Sequence, residues 1–364
     1  MVPPEVTITV CARNAESWVD GCLEALCRQT HLNYEVVAVN DGSTDRTGDA
    51  LDAWADAEGE RGPPVRVVHQ PPLGLSAGRQ RALELAQGDW VAITDIDVRP
   101  EPDWIEHLLA ASDADHGEGP VVAVTGRTVF ERAQDLVSWH RSVEISAKYR
   151  SRPRRTTLAN GPCSMFHRPS LMAIGGFDPS WYHAEDMEVS LRLVRTGGAI
   201  VYTPDAVVRH VPETGIRRFL SKRARDARAH VRIVRRYPAH ERRQQRFDFL
   251  GSSTVVLGAL PWTSVLMLLG VLAFAPSMSG PWSLLPSAKV AVDGVLVLLL
   301  LVQLSMMWSG PLGAVNREVL RQAPRSRFTN AVLLHVLVLA WSLALWYGIV
   351  CGVLDALLKR HGHG

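Results

Sequence analysis

The first hundred residues alternate short strand-like runs with helical patterns, and this alternation constrains the fold more than any other feature of the sequence. The strand-like runs occupy residues 6–12, 35–40 and 65–69, and a fourth run begins at Trp90 and is expected to end at Asp95 and Asp97. Apolar residues at helical spacing lie between them, and they predict a helix after Ser17, a helix up to about Glu58, and a helix over residues 75–87. Strands separated by helices of about 10 to 15 residues predict right-handed crossovers and a mainly parallel sheet. We therefore expect an α/β domain whose ligands bind beyond the carboxyl ends of the strands.

Polar and acidic clusters follow these strands at the positions where each strand should end. The clusters are residues 13–16, residues 41–45, and Asp95 with Asp97. Because side chains alternate along an extended chain, Asp95 and Asp97 are expected to point the same way and to share one cation. Hard divalent ions such as Mg²⁺ or Mn²⁺ take oxygen ligands and keep positions open for substrate phosphates. The alternative is a solvated turn with no metal.

The last third of the chain is dominated by apolar residues. Residues 249–275, 288–308 and 330–353 each supply about 20 or more mostly apolar residues, enough to cross a bilayer core of roughly 30 Å. They predict three membrane spans over residues 248–364, with buried core helices as the alternative. Pro261 allows the first to be kinked or re-entrant. The basic loop before the third span and the lack of an apparent leader predict a multi-pass protein of the cell membrane with its N-terminal domain in the cytoplasm.

The segment that joins these two parts is strongly basic. Residues 217–246 contain twelve Lys or Arg and two acids, while the whole chain has a net charge of +2. Apolar residues at helical spacing, among them Leu220, Ala227 and Val234, predict that residues 215–247 contain an amphipathic helix lying on anionic membrane lipids. Nucleic acid is the rival partner for an arginine-rich helix, and the adjacent apolar segments argue against it. The five cysteines have no spacing typical of a zinc site or a disulfide framework.

An ordered set of motifs extends over most of residues 5–212. It comprises Asn14-Ala-Glu16, Asp41-Gly-Ser-Thr-Asp45, Gly78-Arg79 before Gly88-Asp89, Asp95-Ile-Asp97, Gly175-Gly-Phe-Asp178, Glu185-Asp186 and Val208-Arg-His210. The set resembles the family 2 glycosyltransferases with the GT-A fold, which implies a Rossmann-like domain over residues 1–214. Gln80 departs from the Asn of many relatives, and Arg13 from their common aromatic residue. Processive members carry Gln-X-X-Arg-Trp, and Gln244-Gln245-Arg246-Phe247 does not match it, so a non-processive enzyme is expected.

The resemblance implies a role for each matching residue. The residues implied in binding the donor nucleotide are Ala12, Asn14, Glu16, Asp41, Arg79 and Asp95. Asp97 would ligate Mn²⁺ or Mg²⁺ with His210 and Asp95, and Asp186 would be the catalytic base. The candidates for the acceptor site are Glu185, Trp181, Tyr182 and Gly161. Ordinary alternatives stay open, because Asp41 can close a turn, Arg79 can pair with a surface acid, and His210 can be structural.

The resemblance and these residues together imply an inverting, metal-dependent glycosyltransferase. It would move a sugar from a UDP- or GDP-sugar to a lipid-linked or cell-envelope glycan acceptor. An acid that deprotonates the acceptor and a metal that offsets charge on the leaving diphosphate must be separate sites, and the sequence supplies candidates for both. One alternative is transfer to polyprenyl phosphate, which would make a lipid-phosphate sugar donor. The other is a membrane protein that binds nucleotide sugars without catalysis.

Overall fold

The computed structural model describes residues 3–57, 62–114, 117, 119–239, 249–274 and 286–360. The residues Gln244 to Phe247 and most of the predicted loop between the first two apolar segments lie outside these ranges. The described chain forms a nine-stranded mixed sheet with helices around it, followed by a group of C-terminal helices. None of the five cysteines, all of which lie within these ranges, forms a disulfide bond.

The strands form a single sheet whose longest ladders are parallel. They are β1 (Val6–Ala12), β2 (Tyr34–Asp41), β3 (Val65–Gln70), β4 (Trp90–Asp95), β5 (Val98–Pro100), β6 (Val121–Phe130), β7 (Arg155–Thr156), β8 (Ser164–His167) and β9 (Ala199–His210). Their spatial order is β3-β2-β1-β4-β8-β6-β9-β5, and β7 pairs with β9. The pairs β1–β2, β1–β4, β2–β3 and β6–β9 are parallel, while β4–β8, β6–β8, β5–β9 and β7–β9 are antiparallel. The predicted mainly parallel α/β fold is confirmed.

Twelve helices are described around and after the sheet. They are α1 (Glu16–Cys27), α2 (Thr47–Asp56), α3 (Leu75–Leu85), α4 (Trp104–Asp113), α5 (Leu136–Arg150), α6 (Arg168–Ala173), α7 (Glu185–Arg195), α8 (Ile216–Arg236), α9 (Phe249–Phe274), α10 (Pro286–Trp308), α11 (Gly310–Gln322) and α12 (Arg327–Leu357). Helices α1 to α3 connect the parallel strands β1 to β4, as the alternating pattern predicts. Every residue of β2 is buried, which is typical of a strand covered by helices on both faces.

The chain turns directly after β4, and this changes the expected geometry of Asp95 and Asp97. Strand β4 ends at Asp95, and Ile96 and Asp97 form a turn that leads into β5. The strand alternation that would point both carboxylates the same way therefore does not apply. Strand β5 pairs with the end of β9, with Val98 opposite His210. The Asp97 carbonyl accepts the Val211 N–H at 3.0 Å, so this ladder holds Asp97 beside His210.

The C-terminal helices share a second hydrophobic core with α5 and α8. This core includes Val143 of α5, Phe219 of α8, Val256 of α9, and Leu334 and Trp341 of α12. Two glycines of α12 allow α8 to pack closely. A Cβ at Gly348 would meet the Ala224 carbonyl oxygen, and one at Gly352 would lie 2.8 Å from Val231 Cβ. The predicted amphipathic helix thus exists as α8, but its apolar face packs on α12.

The described helices support fewer membrane spans than the three predicted. By length and composition, only α12 among them can cross a membrane by itself. Residues Asp293–Trp308 and Gly310–Gln322 meet the same criterion only together, and they are bent by 72° relative to each other. In α9, the described apolar stretch is limited to Val255–Leu268. The structure therefore offers one spanning helix, or two if the bent pair is a single span.

Candidate functional site

The loops after β1 and β2 are bonded to each other at the carboxyl edge of the sheet. Asn14 Oδ1 accepts the Thr44 N–H at 2.8 Å, and the Asn14 N–H donates to Ser43 Oγ at 3.0 Å. Asn14 has φ of 49°, a left-handed conformation that asparagine tolerates. The predicted nucleotide-binding residues Ala12 and Glu16 flank this loop, with Ala12 buried at the end of β1 and Glu16 exposed at the start of α1.

Asp41 lies at the same edge, and the protein itself occupies its carboxylate. One oxygen accepts from Gln70 Nε2 at 2.7 Å and from the Leu73 N–H at 2.8 Å, while the other accepts the Gly74 N–H at 2.9 Å. The side chain is buried. Asp41 therefore fixes the loop that enters α3, and base recognition by this carboxylate stays a prediction.

Arg79 joins two acids that are far apart in the sequence. Its Nη2 donates to Asp95 Oδ1 at 2.8 Å, and its Nη1 donates to Glu185 Oε1 at 2.5 Å. The guanidinium is only 3% exposed. Burial lowers the pKa of Arg79, but the charges of Glu185 and Asp95 outweigh it, so the pKa lies above its ordinary value. Arg79 is thus paired with two acids of the candidate site. It is not paired with a separate surface acid, which was the alternative interpretation of its sequence position.

Glu185 and Asp186 begin α7 and have unlike surroundings. Glu185 is buried, and burial raises its pKa while Arg79 opposes the rise. Asp186 is partly exposed; its Oδ2 accepts the Gly161 N–H at 3.0 Å and its Oδ1 accepts the Met187 N–H at 2.8 Å. Ala184 before them has φ of 60°, a conformation that costs an alanine about 1–2 kcal/mol. The chain thus turns sharply here, Glu185 faces the interior, and Asp186 remains accessible.

Gly161 comes close to both of these groups. Its N–H holds Asp186, and a Cβ on Gly161 would lie 2.8 Å from Arg79 Nη2. A larger residue at position 161 would push Arg79 away from Asp95 and Glu185, so this position has to be occupied by a small residue. The predicted acceptor-site residue Gly161 thus lies between the candidate base and the Arg79 ion pairs.

Asp97 and His210 form a pair of donors that fits a divalent cation. His210 Nε2 lies 3.5 Å from Asp97 Oδ1, and His210 Nδ1 is 2.7 Å from the Val211 carbonyl oxygen, which directs the Nε2 lone pair toward Asp97. Burial lowers the pKa of His210, with Asp97 opposing, which favours the neutral imidazole that a metal ligand requires. No three His, Cys, Asp or Glu side chains cluster within the described part of the chain. Two protein ligands suit a metal that is completed by substrate phosphates.

Asp95 and Asp97 have different partners. Asp95 is bound to Arg79, whereas Asp97 lies 3.5 Å from both His210 and Arg218 Nη2 of α8. The structure therefore gives Asp97 the contacts expected of a metal ligand more directly than Asp95. Arg218 was not predicted as a site residue. It is one of many arginines in a basic amphipathic helix, and the sequence does not indicate which of them faces the edge of the sheet.

The segment before α7 is held between α3 and α8. Ser76 Oγ of α3 donates to the Trp181 carbonyl, Arg232 of α8 lies 4.2 Å from the centroid of the Trp181 ring, and Trp181 is 3% exposed. Arg228 lies 5.7 Å from the ring of the partly exposed Tyr182. Of the four acceptor candidates, Trp181 and Glu185 are therefore buried, which gives them packing and pairing roles.

Asp226 was also missed, and its contact with His183 connects α8 to this segment. His183 Nε2 and Asp226 Oδ1 are 2.5 Å apart, and Arg223 lies 3.0 Å from the other Asp226 oxygen. Burial raises the pKa of Asp226, but Arg223 and His183 outweigh it, so the pKa is far below its ordinary value. No local pattern indicates a pair of residues 43 positions apart.

Comparisons with known proteins show a similarity to one family over the first half of the chain. Residues 7–175 match the model described as Glycosyl transferase family 2. A candidate glycosyltransferase of Bacillus subtilis (strain 168), EpsH, is 37% identical over 109 residues, which cover 30% of this chain and 30% of that protein. The pre-mycofactocin glycosyltransferase of Mycobacterium tuberculosis (strain ATCC 25618 / H37Rv) is 26% identical over 234 residues, or 60% of this chain and 45% of that one. The matches thus span less than half of either relative.

A solved structure shares the fold over almost the whole chain. It is the mannosyltransferase PcManGT from Pyrobaculum calidifontis in complex with GDP-Man and Mn²⁺. The similarity covers 98% of this chain and 88% of that one, with a TM-score of 0.54 and 19% identity. At this identity the comparison supports the fold alone, and it includes the C-terminal helices.

Proposed function

We propose that the chain is a family 2 glycosyltransferase, as the match of residues 7–175 supports, and that it transfers a sugar from a nucleoside-diphosphate sugar with inversion at the anomeric carbon. The observation that carries this proposal is the bridge through Arg79. It joins Asp95, at the end of β4, to Glu185, the neighbour of Asp186. The bridge holds the candidate base at the carboxyl edge of the sheet, where the donor would bind. Asp95 and Glu185 are about 90 residues apart in the sequence.

The donor would lie across the carboxyl ends of β1, β2 and β4. The bonded loops of Asn14 and Thr44 and the fixed loop after Asp41 would form the wall for the nucleoside, as is usual for ligands of open α/β sheets. Glu16 and Ala12 border this wall. The choice between UDP- and GDP-sugars depends on the shape of this wall.

Asp97 and His210 would hold Mn²⁺ or Mg²⁺, with Asp95 nearby. When bound, the cation would offset the negative charge that develops on the departing diphosphate. Arg218 lies beside Asp97 and is positively charged, as the cation would be. It is therefore placed to help offset the negative charge on the departing diphosphate. The Pyrobaculum calidifontis mannosyltransferase, which shares the fold, is in complex with GDP-Man and Mn²⁺. A nucleoside-diphosphate sugar and a divalent cation are the classes of donor and metal that we propose for this chain.

Asp186 would act as the base for the acceptor hydroxyl. As the acceptor oxygen forms a bond with the anomeric carbon, Asp186 takes its proton, and the bond from that carbon to the diphosphate breaks on the opposite face. The N–H groups of Gly161 and Met187 orient its carboxylate. Glu185 is a weaker candidate because it is buried and paired with Arg79.

The acceptor would be lipid-linked or a cell-envelope glycan, and the enzyme would be an integral protein of the cell membrane. Exposed large apolar side chains support this, since only five of those in the described chain lie before residue 240 and the rest lie on or beside α9, α10 and α12. We place the N-terminal domain in the cytoplasm, with Arg217, Arg225 and Arg235 of α8 facing anionic lipids. Multiple passes and transfer of a single sugar are part of the same proposal.

A panel of nucleotide sugars tests this function. The full chain in detergent is incubated with each UDP- or GDP-sugar, Mn²⁺ and bacterial membrane lipid extract, and product is followed by mass spectrometry and by NMR of its anomeric signal. One donor should give a glycosylated product of inverted configuration, and EDTA or Asp97→Asn should abolish it. Asp103→Asn, at an exposed residue, is the matched control. A product of retained configuration, or no turnover of any donor, would refute the proposal.

A further inference from the structure

A basic cleft of about 280 Å³ lies between α5, β6 and β9. Four arginines and two tyrosines line it: Arg127, Arg150, Arg152, Arg154, Tyr149 and Tyr202. The other described lining residues are neutral, so no Asp or Glu faces this arginine cleft. Four guanidinium groups around one cavity repel each other unless an anion lies among them.

Several other arginines of the domain are paired with acids, as in Arg79 with Glu185, Arg192 with Glu188, and Arg223 with Asp226. The lining of the cleft offers only hydroxyl groups beside the guanidinium groups. An anion from outside the chain is therefore the partner that this surface fits.

The floor of the cleft is formed by Arg152, which is buried and hydrogen-bonded. Arg152 is 8% exposed, and its acceptors include Asn160 Oδ1 at 3.0 Å and the Leu158 carbonyl. Its guanidinium lies 5.7 Å from the Tyr149 ring centroid and 5.1 Å from that of Tyr202. Burial lowers the pKa of Arg152, and Tyr149, Tyr202, Cys163 and, least of all, Asp186 only partly oppose this. Arg127, Arg150 and Arg154 are exposed and form the rim.

Two consecutive residues connect this floor to the candidate base. Asn160 accepts from Arg152, and the next N–H, that of Gly161, donates to Asp186. A group held in the arginine cleft is thus tied to the loop that orients the base. The cleft lies on β6 and β9, away from the loops of β1 and β2 that would bind the nucleoside.

We propose that the arginine cleft binds a phosphate or diphosphate group of the acceptor. The inference rests on the proposed glycosyl transfer and adds the chemical class of the acceptor. The planar fork of arginine matches two phosphate oxygens, which explains a lining of arginines. The volume is below the usual range for a site that encloses a drug-sized molecule, so it suits a phosphate group whose remainder extends outside.

Calorimetry on the full chain in detergent, with EDTA and no nucleotide, tests the cleft. The probes are farnesyl phosphate, inorganic phosphate and farnesol. Wild type should bind the two phosphate-bearing probes, and Arg127→Gln/Arg154→Gln should weaken both by about tenfold or more, because two charge-assisted contacts are lost. Arg28→Gln/Arg81→Gln removes the same charge from exposed helix positions and should change affinity less than about twofold.

The probes also identify the source of the phosphate. Tighter binding of farnesyl phosphate than of inorganic phosphate assigns a lipid-linked acceptor, and equal affinity assigns a water-soluble one. Equal binding by wild type and Arg127→Gln/Arg154→Gln, or binding of farnesol as tight as farnesyl phosphate, would overturn the inference. Slow hydrolysis of the donor sugar in Mn²⁺ should be unchanged in this variant. Absence of that hydrolysis in wild type would count against the proposed sugar transfer. The calorimetric result would still show whether the arginine cleft binds a phosphate group.

Discussion

Replacing Arg79 with methionine should destabilise the protein in a way that depends strongly on pH. The substitution removes the partner of Glu185, whose side chain is 7% exposed, and that of Asp95, which is 31% exposed. Water can solvate Asp95 in the variant. Glu185 cannot be solvated in this way, so it is expected to take up a proton in the folded state.

The cost follows from the ordinary pKa of that carboxyl. Protonating a group with a pKa of 4.5 at pH 7 takes about 3.4 kcal/mol, and at pH 5 about 0.7 kcal/mol, since each unit is worth about 1.36 kcal/mol. The pKa of Glu185 is raised in the folded variant, so the folded state binds a proton that the unfolded chain releases above pH 4.5. The variant therefore loses stability as the pH rises and regains it as the pH falls.

Thermal unfolding of the full chain in detergent, followed by tryptophan fluorescence, measures this. For a domain of this size, the expected fall in Tm is about 7–13 °C at pH 7 and about 1–3 °C at pH 5. Arg79→Met/Glu185→Gln should recover most of the loss at pH 7, and Arg81→Met, on the exposed face of α3, should have little effect. An equal fall at both pH values, or no recovery in the double variant, would show that the cost is not the unpaired Glu185.

Two further substitutions test the metal pair and the packing of α8. His210→Ala should weaken Mn²⁺ binding by about tenfold or more, measured by electron paramagnetic resonance in the presence of nucleoside diphosphate. His107→Ala, at an exposed position, is the control and should leave Mn²⁺ binding unchanged. Unchanged binding by His210→Ala would show that His210 is not a metal ligand. Gly348→Leu should lower stability by about 1–3 kcal/mol because its side chain would collide with α8. Gly294→Leu, where the surroundings are open, is the control, and equal effects of the two would contradict the close packing.

The parallel half of the sheet could be predicted from the sequence because its signals are local. Runs of β-branched residues and the periodic helices between them place β1 to β4 within one or two residues of the observed bounds. The expectation that Asn14 and residues 41–45 meet at one edge follows from parallel strand order, and the observed Asn14–Thr44 bond agrees with it.

The partners within the site could not be predicted in the same way. Arg79 and Glu185 are 106 residues apart, and each has the local appearance of a residue on a helix surface. The pairing of β5 with β9, which brings Asp97 to His210, depends on a three-residue strand that has too few side chains to show a period. The alternation argument for Asp95 and Asp97 was wrong because it assumed that β4 continues beyond Asp95.

The arrangement of the C-terminal apolar helices could not be predicted from composition. An apolar run of 20 residues has the same composition whether it crosses a bilayer or bends, as Asp293–Trp308 and Gly310–Gln322 do. The amphipathic pattern of α8 likewise predicts an apolar face without telling what covers it. The structure covers that face with α12, through Gly348 and Gly352.

The central claim is that Asp186 acts as the base while the donor is bound elsewhere at the same sheet edge. The direct measurement is the rate of sugar transfer by Asp186→Asn, together with its affinity for the donor, against Asp205→Asn at an exposed position of β9. We expect Asp186→Asn to bind the donor with an affinity within about twofold of wild type and to transfer sugar at a rate lower by about 10² to 10⁴, with Asp205→Asn unchanged. Transfer by Asp186→Asn at the wild-type rate would contradict this claim.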